Sequence, residues 1–337
     1  MMTLLLRETD VRALLSMEQV IALMEEALRA FSTGGVIQPV RQAVPVQPHA
    51  GYVGLMPAYL AAQPRTGRYG AQEALGAKAV TFYPQNASRG LPTHLAVILL
   101  WDSVTGELLA LMDGRLITEM RTAATSAAAT KALAKPDARV LAILGAGVQA
   151  RSHGDALRLI RPLRQVRVWS RSAEHAQAFA HEMEPRTGLP VNVCASAEEA
   201  VRDADIIVTA TSSTTPVLQG RWIANGAHIN AVGAPRADWR ELDTEAVRRA
   251  RVFVDSRAGA MAESGDLILP MREGAVTEAH ICGEIGEVLA GIVDGRTADS
   301  EITLFKSLGM AVEDVAAAQY VYERARARGI GQTIGLS

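Results

Sequence analysis

The sequence predicts an α/β protein with a doubly wound, mostly parallel sheet in the middle of the chain and a sheet-rich α+β domain before it. Three observations carry this. An apolar run of strand length, Val140 to Leu144, leads straight into Gly145-x-Gly147-x-x-Ala150. Apolar strand candidates then alternate with helix-length segments to about residue 300, the pattern of parallel strands joined by helical crossovers. Ahead of the glycine run, short strand candidates follow one another with little but turns between them.

Taken in order, the apolar opening Met1 to Leu6 meets Arg7, Glu8 and Asp10 at once and is too short for a secretion signal. Ser16 caps a helix over Met17 to Ser32, with Val20, Leu23, Met24, Ala27 and Phe31 on one face and Gly34-Gly35 as its stop. Strands are expected over Pro39 to Val46, Tyr52 to Met56, Ala77 to Phe82, Leu95 to Trp101 and Leu108 to Met112, the last two joined by a turn through Asp102 to Gly106. An alanine-rich helix over residues 114–134 follows, and Lys135-Pro136-Asp137 breaks it, which places the domain boundary there. Beyond it, Val140 to Leu144, Gln165 to Trp169, Val191 to Cys194, Ile206 to Ala210, His228 to Val232 and Val252 to Val254 read as strands. A last helix, residues 309–328, is long enough that it should dock, and the first domain is where it is expected to return.

The glycine run carries chemistry. Gly145 suits a tight strand-to-helix turn, Gly147 lets backbone approach a pyrophosphate, and Ala150 permits close helix packing. The helix that starts there aims free N–H groups at the phosphates. This is the signature of a Rossmann dinucleotide-binding domain. Strand 165–169 ends in Ser170-Arg171-Ser172 with no carboxylate to receive a ribose 2′-hydroxyl. Arg171 can pair with a 2′-phosphate and the two serines can hydrogen-bond to it, so NADPH is expected in preference to NADH. The alternative is that Arg171 is an ordinary solvated residue at a helix start.

A formal net charge of −2 without a basic block argues against nucleic acid. Cys194 and Cys282 lie far apart without Cys-x-x-Cys spacing, so neither a disulfide framework nor a zinc site is expected. His181-Glu182 falls on a helix that reads as solvated, and no metal site is expected. No apolar run approaches membrane-spanning length, and a soluble, cytoplasmic protein is the expectation.

Several phrases together resemble the ornithine cyclodeaminase/mu-crystallin family, and within it the mu-crystallin ketimine reductases. They include Met56-Pro57-Ala58-Tyr59, Gly76-Ala77-Lys78-Ala79-Val80, Leu91-Pro92-Thr93-His94, Arg121-Thr122-Ala123-Ala124, Gly145-Ala146-Gly147-Val148-Gln149-Ala150, Asn230-Ala231-Val232-Gly233-Ala234, Glu263-Ser264-Gly265-Asp266 and Phe305-Lys306-Ser307-Leu308-Gly309. They run in family order along nearly the whole chain. The resemblance implies a substrate-binding and dimerisation domain from residues 1–135 and 306–337, a Rossmann domain from 136–305, and a homodimer. It implies a cleft between the domains for a small α-imino or α-amino acid.

The resemblance also assigns roles. Arg41, Lys78 and Arg121 match the substrate-site cations, with Lys78 and Arg121 catalytic, and Ala234 and Glu263 border the substrate. Thr93, His94 and Arg121 lie toward the nicotinamide, Gly145, Ala146, Gly147, Val148 and Gln149 at the pyrophosphate, and Ser170, Arg171 and Ser172 at the 2′-phosphate. Thr209, Val232 and Ser307 complete the cofactor pocket. The cation roles agree with physics, since a carboxylate leaving water needs fixed positive partners. Read alone, His94 is equally a structural histidine, and Glu263 a helix-start carboxylate. Whether Lys78 gives a proton or only orients the carboxylate stays open.

Two departures point to the activity. Cyclodeaminases carry an Asp where this chain has Pro235 and a carboxylate where it has Gly54, and a proline cannot move protons. Alanine-dehydrogenase-like relatives also tend to carry that Asp. The expected enzyme is therefore an NADPH-dependent oxidoreductase acting on CH–NH bonds that reduces cyclic ketimine 2-carboxylates, such as 1-pyrroline-2-carboxylate or 1-piperideine-2-carboxylate. The alternatives are an ornithine cyclodeaminase, an alanine-dehydrogenase-like enzyme, and a mu-crystallin-like protein that binds NADPH and a small carboxylate without turnover.

Overall fold

The computed structural model describes residues 2–62 and 72–335; positions 1, 336 and 337, at the outer ends of the expected first domain, lie outside them. The chain divides into two compact units, one from residues up to Arg121 with those from Met310 onward, the other from Thr122 to Gly309. The first opens with β1 (Met2–Leu6), α1 (Glu8–Leu14), α2 (Met17–Ser32), β2 (Val36–Ile37), β3 (Gln42–Val46), β4 (Gly51–Leu60), β5 (Ala74–Phe82), β6 (His94–Trp101) and β7 (Leu108–Asp113). Helix α3 (Arg115–Leu133) leads into the second unit. That unit contains β8 (Val140–Leu144), α4 (Val148–Leu157), β9 (Gln165–Trp169), α5 (Ala173–Thr187), β10 (Val191–Val193), α6 (Ala197–Val201), β11 (Ile206–Thr209) and β12 (His228–Ala231). It continues with α7 (Thr244–Arg249), β13 (Ala250–Val254), α8 (Arg257–Glu263), α9 (Gly265–Arg272), β14 (Ile281–Glu284), α10 (Ile285–Leu289) and β15 (Ile302–Lys306). The chain re-enters the first unit as α11 (Ala311–Arg328) and β16 (Gln332–Gly335).

In the first unit the strands run β16-β1-β7-β6-β5-β4-β2, with β3 paired to β4. The capping box expected at α2 is present: Gln19 N donates to Ser16 Oγ at 3.4 Å and Ser16 N donates to Gln19 Oε1 at 3.1 Å. The apolar opening is not a loose end but β1, parallel to β7 and antiparallel to β16. β3 begins at Gln42 rather than Pro39, and Pro45 is tolerated because β3 pairs on one side and needs no second ladder donor. Helix α11 packs on α2, β4, β5 and β6, as expected of a long terminal helix. Gly76 sets how closely: a Cβ there would lie 2.9 Å from the Leu99 carbonyl oxygen and 3.0 Å from Val315 Cγ2.

The second unit is a wholly parallel sheet in the order β10-β9-β8-β11-β12-β15-β13-β14. The chain runs outward from β8 through β9 to β10, then crosses back to start again at β11. The order reverses between β8 and β11, and ligands of such sheets bind at that reversal, outside the carboxyl ends of the strands. β15 lies between β12 and β13, although the strand pattern in the sequence ends near residue 300. The division between units falls inside α3, at Arg121/Thr122, rather than at the Lys135-Pro136-Asp137 break. Ala123, Ala124, Ala127, Ala128 and Ala129 are fully buried and fall in the second unit.

Substituting Gly76→Ala should lower stability by about 1–3 kcal/mol, since neither a carbonyl nor a branched side chain yields freely. A lowered urea midpoint with unchanged slope is the expected outcome.

Candidate active site

In the second unit the sequence-assigned cofactor residues fall at the carboxyl ends of five adjacent strands. Following the sheet order, Ser170 follows β9, Gly145 follows β8, Thr209 ends β11, Val232 follows β12 and Ser307 follows β15. Four strand spacings cover roughly 19 Å, enough for an extended dinucleotide. Gly145 has φ +121° and a Cβ there would collide with the Ala210 carbonyl oxygen, whereas a Cβ on Gly147 would meet nothing within 4 Å. The turn thus requires its first glycine, and the second leaves open backbone at the start of α4. Gln149 Oε1 and Ser307 Oγ are buried without a hydrogen-bond partner among the described residues, so two polar atoms along this row await one. These features fit a dinucleotide.

Two braces of the glycine loop are not legible in the sequence. Arg151 donates from Nη1 to the carbonyls of Ala146 at 2.5 Å and Gly147 at 3.2 Å, and from Nε to Glu182 at 2.6 Å. His153 Nδ1 lies 2.7 Å from the Gln149 carbonyl, which can only accept, so Nε2 accepts from Ser126 Oγ at 2.9 Å. Burial pushes this imidazole down to about 4, keeping it neutral. Ser172 caps α5 by accepting from His175 N at 3.1 Å. Arg171 is exposed and has no side-chain partner among the described residues. Glu182, paired with Arg151 and Arg186, has a structural use, and no metal-binding cluster occurs among the described residues.

The loops after β11 and β12 rest on a buried charge network. Glu241 accepts from Thr211 N and Oγ1, both at 2.6 Å, and from Gly233 N at 2.8 Å. Asp266 accepts from Glu241 N at 2.7 Å, Leu242 N at 3.0 Å and Lys306 Nζ at 2.8 Å, and Lys306 also donates to the Gly233 carbonyl. All three charged side chains are fully buried. Burial, and then the Asp266 charge, push the Glu241 carboxyl upward. Asp255 holds Leu308 N and Gly309 N beside Ser307. Within this frame Ala234 keeps φ +55°, unusual for a residue with a Cβ, and Pro235 follows it. Glu263 ends α8 rather than starting a helix.

In the first unit the structure brings Lys78 and Arg121 together around two carboxylates. Lys78 Nζ lies 2.6 Å from Asp314 Oδ2 and donates to Thr118 Oγ1 at 3.2 Å. Arg121 Nε donates to Asp314 Oδ1 at 3.1 Å, and its Nη1 pairs with Glu313. Burial pushes Lys78 down to about 8; the Asp314 charge opposes this, while Arg121 and Arg41 add to it. His94, stacked on Phe82 with centroids 4.6 Å apart, has Thr93 Oγ1 3.1 Å from its Nδ1. Its surroundings, then the charges of Lys78 and Arg41, push it down to about 4. The Arg41 stem crosses Gly54, where a Cβ would lie 3.4 Å from Arg41 Cδ and 3.3 Å from Val80 Cγ1. Sequence reasoning missed Glu313 and Asp314. Adjacent acids in the first turn of a helix read as ordinary dipole partners, and the usable signal was their place beside the apolar Val312 and Val315.

Comparison with known proteins finds a matching family and several similar chains. A family model described as the ornithine cyclodeaminase/mu-crystallin family matches residues 1–329. The chain is 48% identical over 303 residues to the ketimine reductase mu-crystallin of Mus musculus, covering 89% of this chain and 90% of that one. It is similar to the structure of Thermococcus litoralis Delta(1)-pyrroline-2-carboxylate reductase in complex with NADH and L-proline, with TM-score 0.94, 42% identity, and 98% and 100% of the two chains covered. An archaeal alanine dehydrogenase dimer with bound NAD gives TM-score 0.92 at 34% identity over the full length of both chains.

The charge network makes one expectation sharp. Lys306→Met should cost about 3–5 kcal/mol, because it strands Asp266 and Glu241 without a buried cation. Adding Asp266→Leu should recover part of that loss. A double-mutant cycle by urea unfolding checks it, and strictly additive losses would refute the coupling.

Proposed function

The chain belongs to the ornithine cyclodeaminase/mu-crystallin family, and we propose that it reduces cyclic ketimine 2-carboxylates of five or six ring atoms to the saturated cyclic amino acids with NADPH. The observation that carries the reading is a buried cluster in the first unit, where Lys78 and Arg121 meet the carboxylates of Glu313 and Asp314 and Arg41 lies near enough to act on Lys78. Fixed cations of this kind are what a small substrate carboxylate leaving water requires.

In this reading Arg121 and Arg41 hold the substrate carboxylate, a positioning role that turns an encounter into an oriented pair. The same cations disfavour an iminium, so the ring enters as the neutral imine. Lys78 then delivers the proton to the ring nitrogen. When bound, the nicotinamide supplies the hydride that the imine carbon accepts. The pyridine nucleotide is held by Gly145 to Gln149 and Ser307, with Thr209 and Val232 lining its pocket and Thr93 and His94 on the nicotinamide side. Arg171, Ser170 and Ser172 select the 2′-phosphate. Ala234 and Glu263 border the substrate. Gly54 and Pro235 offer no acid to drive ammonia loss, which supports reduction over cyclodeamination.

The protein is further proposed to work as a homodimer. On the outer face of the first sheet, Val44, Val53, Thr81 and Leu95 form one cross-strand row, and Leu55, Ala79 and Val97 the next. Val44, Val53, Leu55, Leu95 and Val97 are 62%, 37%, 49%, 48% and 45% exposed. An apolar patch of this kind marks an interface, and the alanine dehydrogenase relative is a dimer. Two unpaired thiols, Cys194 and Cys282, suit a reducing cytoplasm. No helix among the described residues is long and apolar enough to cross a membrane.

Steady-state assays should show cyclic imine acids consumed with NADPH and no comparable ammonia release from ornithine with NAD; the opposite result restores the cyclodeaminase. Arg171→Ala should raise KM for NADPH by about tenfold to a hundredfold and leave that for NADH nearly unchanged. Equal losses with both nucleotides would remove Arg171 from the 2′-phosphate site. Leu55→Asp should move the protein from dimer to monomer in sedimentation velocity, and a dimer unaffected by it would exclude this face.

A further inference from the structure

Asp314 pairs with both Lys78 and Arg121, at 2.6 and 3.1 Å, and it is fully buried. It lies in the first turn of α11 beside Glu313, where the helix dipole favours an ionised carboxylate. Resting on the reductase reading above, we propose that Asp314 is the positioning residue for proton delivery: it keeps the Lys78 ammonium charged and aimed while it fixes the Arg121 guanidinium. One carboxylate thereby ties the proton donor to the residue that grips the substrate.

The surroundings of Lys78 give the reason. Asp314 and Glu313 reach the cluster from α11, Arg121 and the Thr118 hydroxyl from α3, Arg41 from ahead of β3, and His94 from β6. Burial, Arg121 and Arg41 all favour the neutral amine, and Asp314 opposes them. The balance sets Lys78 at about 8, close to the pH at which it must both give a proton and regain one. An ammonium has three N–H donors, and Asp314 and Thr118 occupy two of them. Among the described residues no other group takes the third, and in this reading it serves the imine nitrogen. The step balances: the N–H bond of Lys78 breaks, the ring nitrogen gains that proton, the imine carbon gains the hydride, and solvent recharges the amine beside Asp314.

The chain contains four lysines, Lys78, Lys131, Lys135 and Lys306, so Lys78 can be titrated directly by NMR in 13C-lysine-labelled protein, with Lys78→Arg identifying its signal. The wild type should titrate near pH 8, and kcat for a cyclic imine acid should fall as pH rises through that value. Asp314→Asn should move both the NMR titration and the kcat limb toward acid by about one pH unit or more. Asp314→Glu should restore most of that shift. Glu313→Gln, which weakens the grip on Arg121, should chiefly raise KM and leave the limb in place. An Asp314→Asn titration that does not move would overturn the proposal, as would one that moves while the kcat limb stays in place. Failure of the wild type to reduce imine acids would sink the reductase reading instead, and the NMR titration would still report whether Asp314 holds Lys78.

Discussion

Two cations buried in the first unit, Lys78 and Arg121, are tenable because the terminal helix returns to set Asp314 and Glu313 against them. A buried charge without a partner costs several kcal/mol, so the cluster and the return of α11 stand or fall together. Much of the unit's construction serves that contact. Gly76 lets the helix approach the sheet, α2 packs along it, and β16 continues past it to pair with β1. Gln38 adds a tether by accepting from Val312 N at 2.9 Å, one residue before Glu313.

The second unit solves a related problem through its backbone. Loops at the ends of parallel strands have few neighbours to hold their shape. Here Glu241, Asp255, Asp266 and Lys306, all buried, accept from or donate to the backbone of the loops after β11, β12 and β15. Arg151 and His153 do the same for the glycine turn. Each loop is thus held by a charged or ring side chain anchored elsewhere in the unit, which gives a pre-organised surface for a dinucleotide.

Gly54 leaves space that the Arg41 stem fills. Pro235 follows Gly233 and Ala234 on a loop that Glu241 holds by accepting from Gly233 N.

Much of this protein was legible locally. The capping box at Ser16, the strands at Val140–Leu144 and Gln165–Trp169, the glycine turn and the docking of the last helix follow from neighbouring residues and hydrophobic period, which the chain carries in sequence order. The family phrases also contain Lys78, Arg121 and several of the strand-end residues. What only tertiary structure decided was pairing across long separations. Arg121 and Asp314 are 193 positions apart, Lys306 and Asp266 are 40, and β15 enters between strands that precede it in the chain. A charged residue in sequence reads the same whether water or another charge will meet it. Burial alone separates those outcomes, and burial belongs to the folded chain.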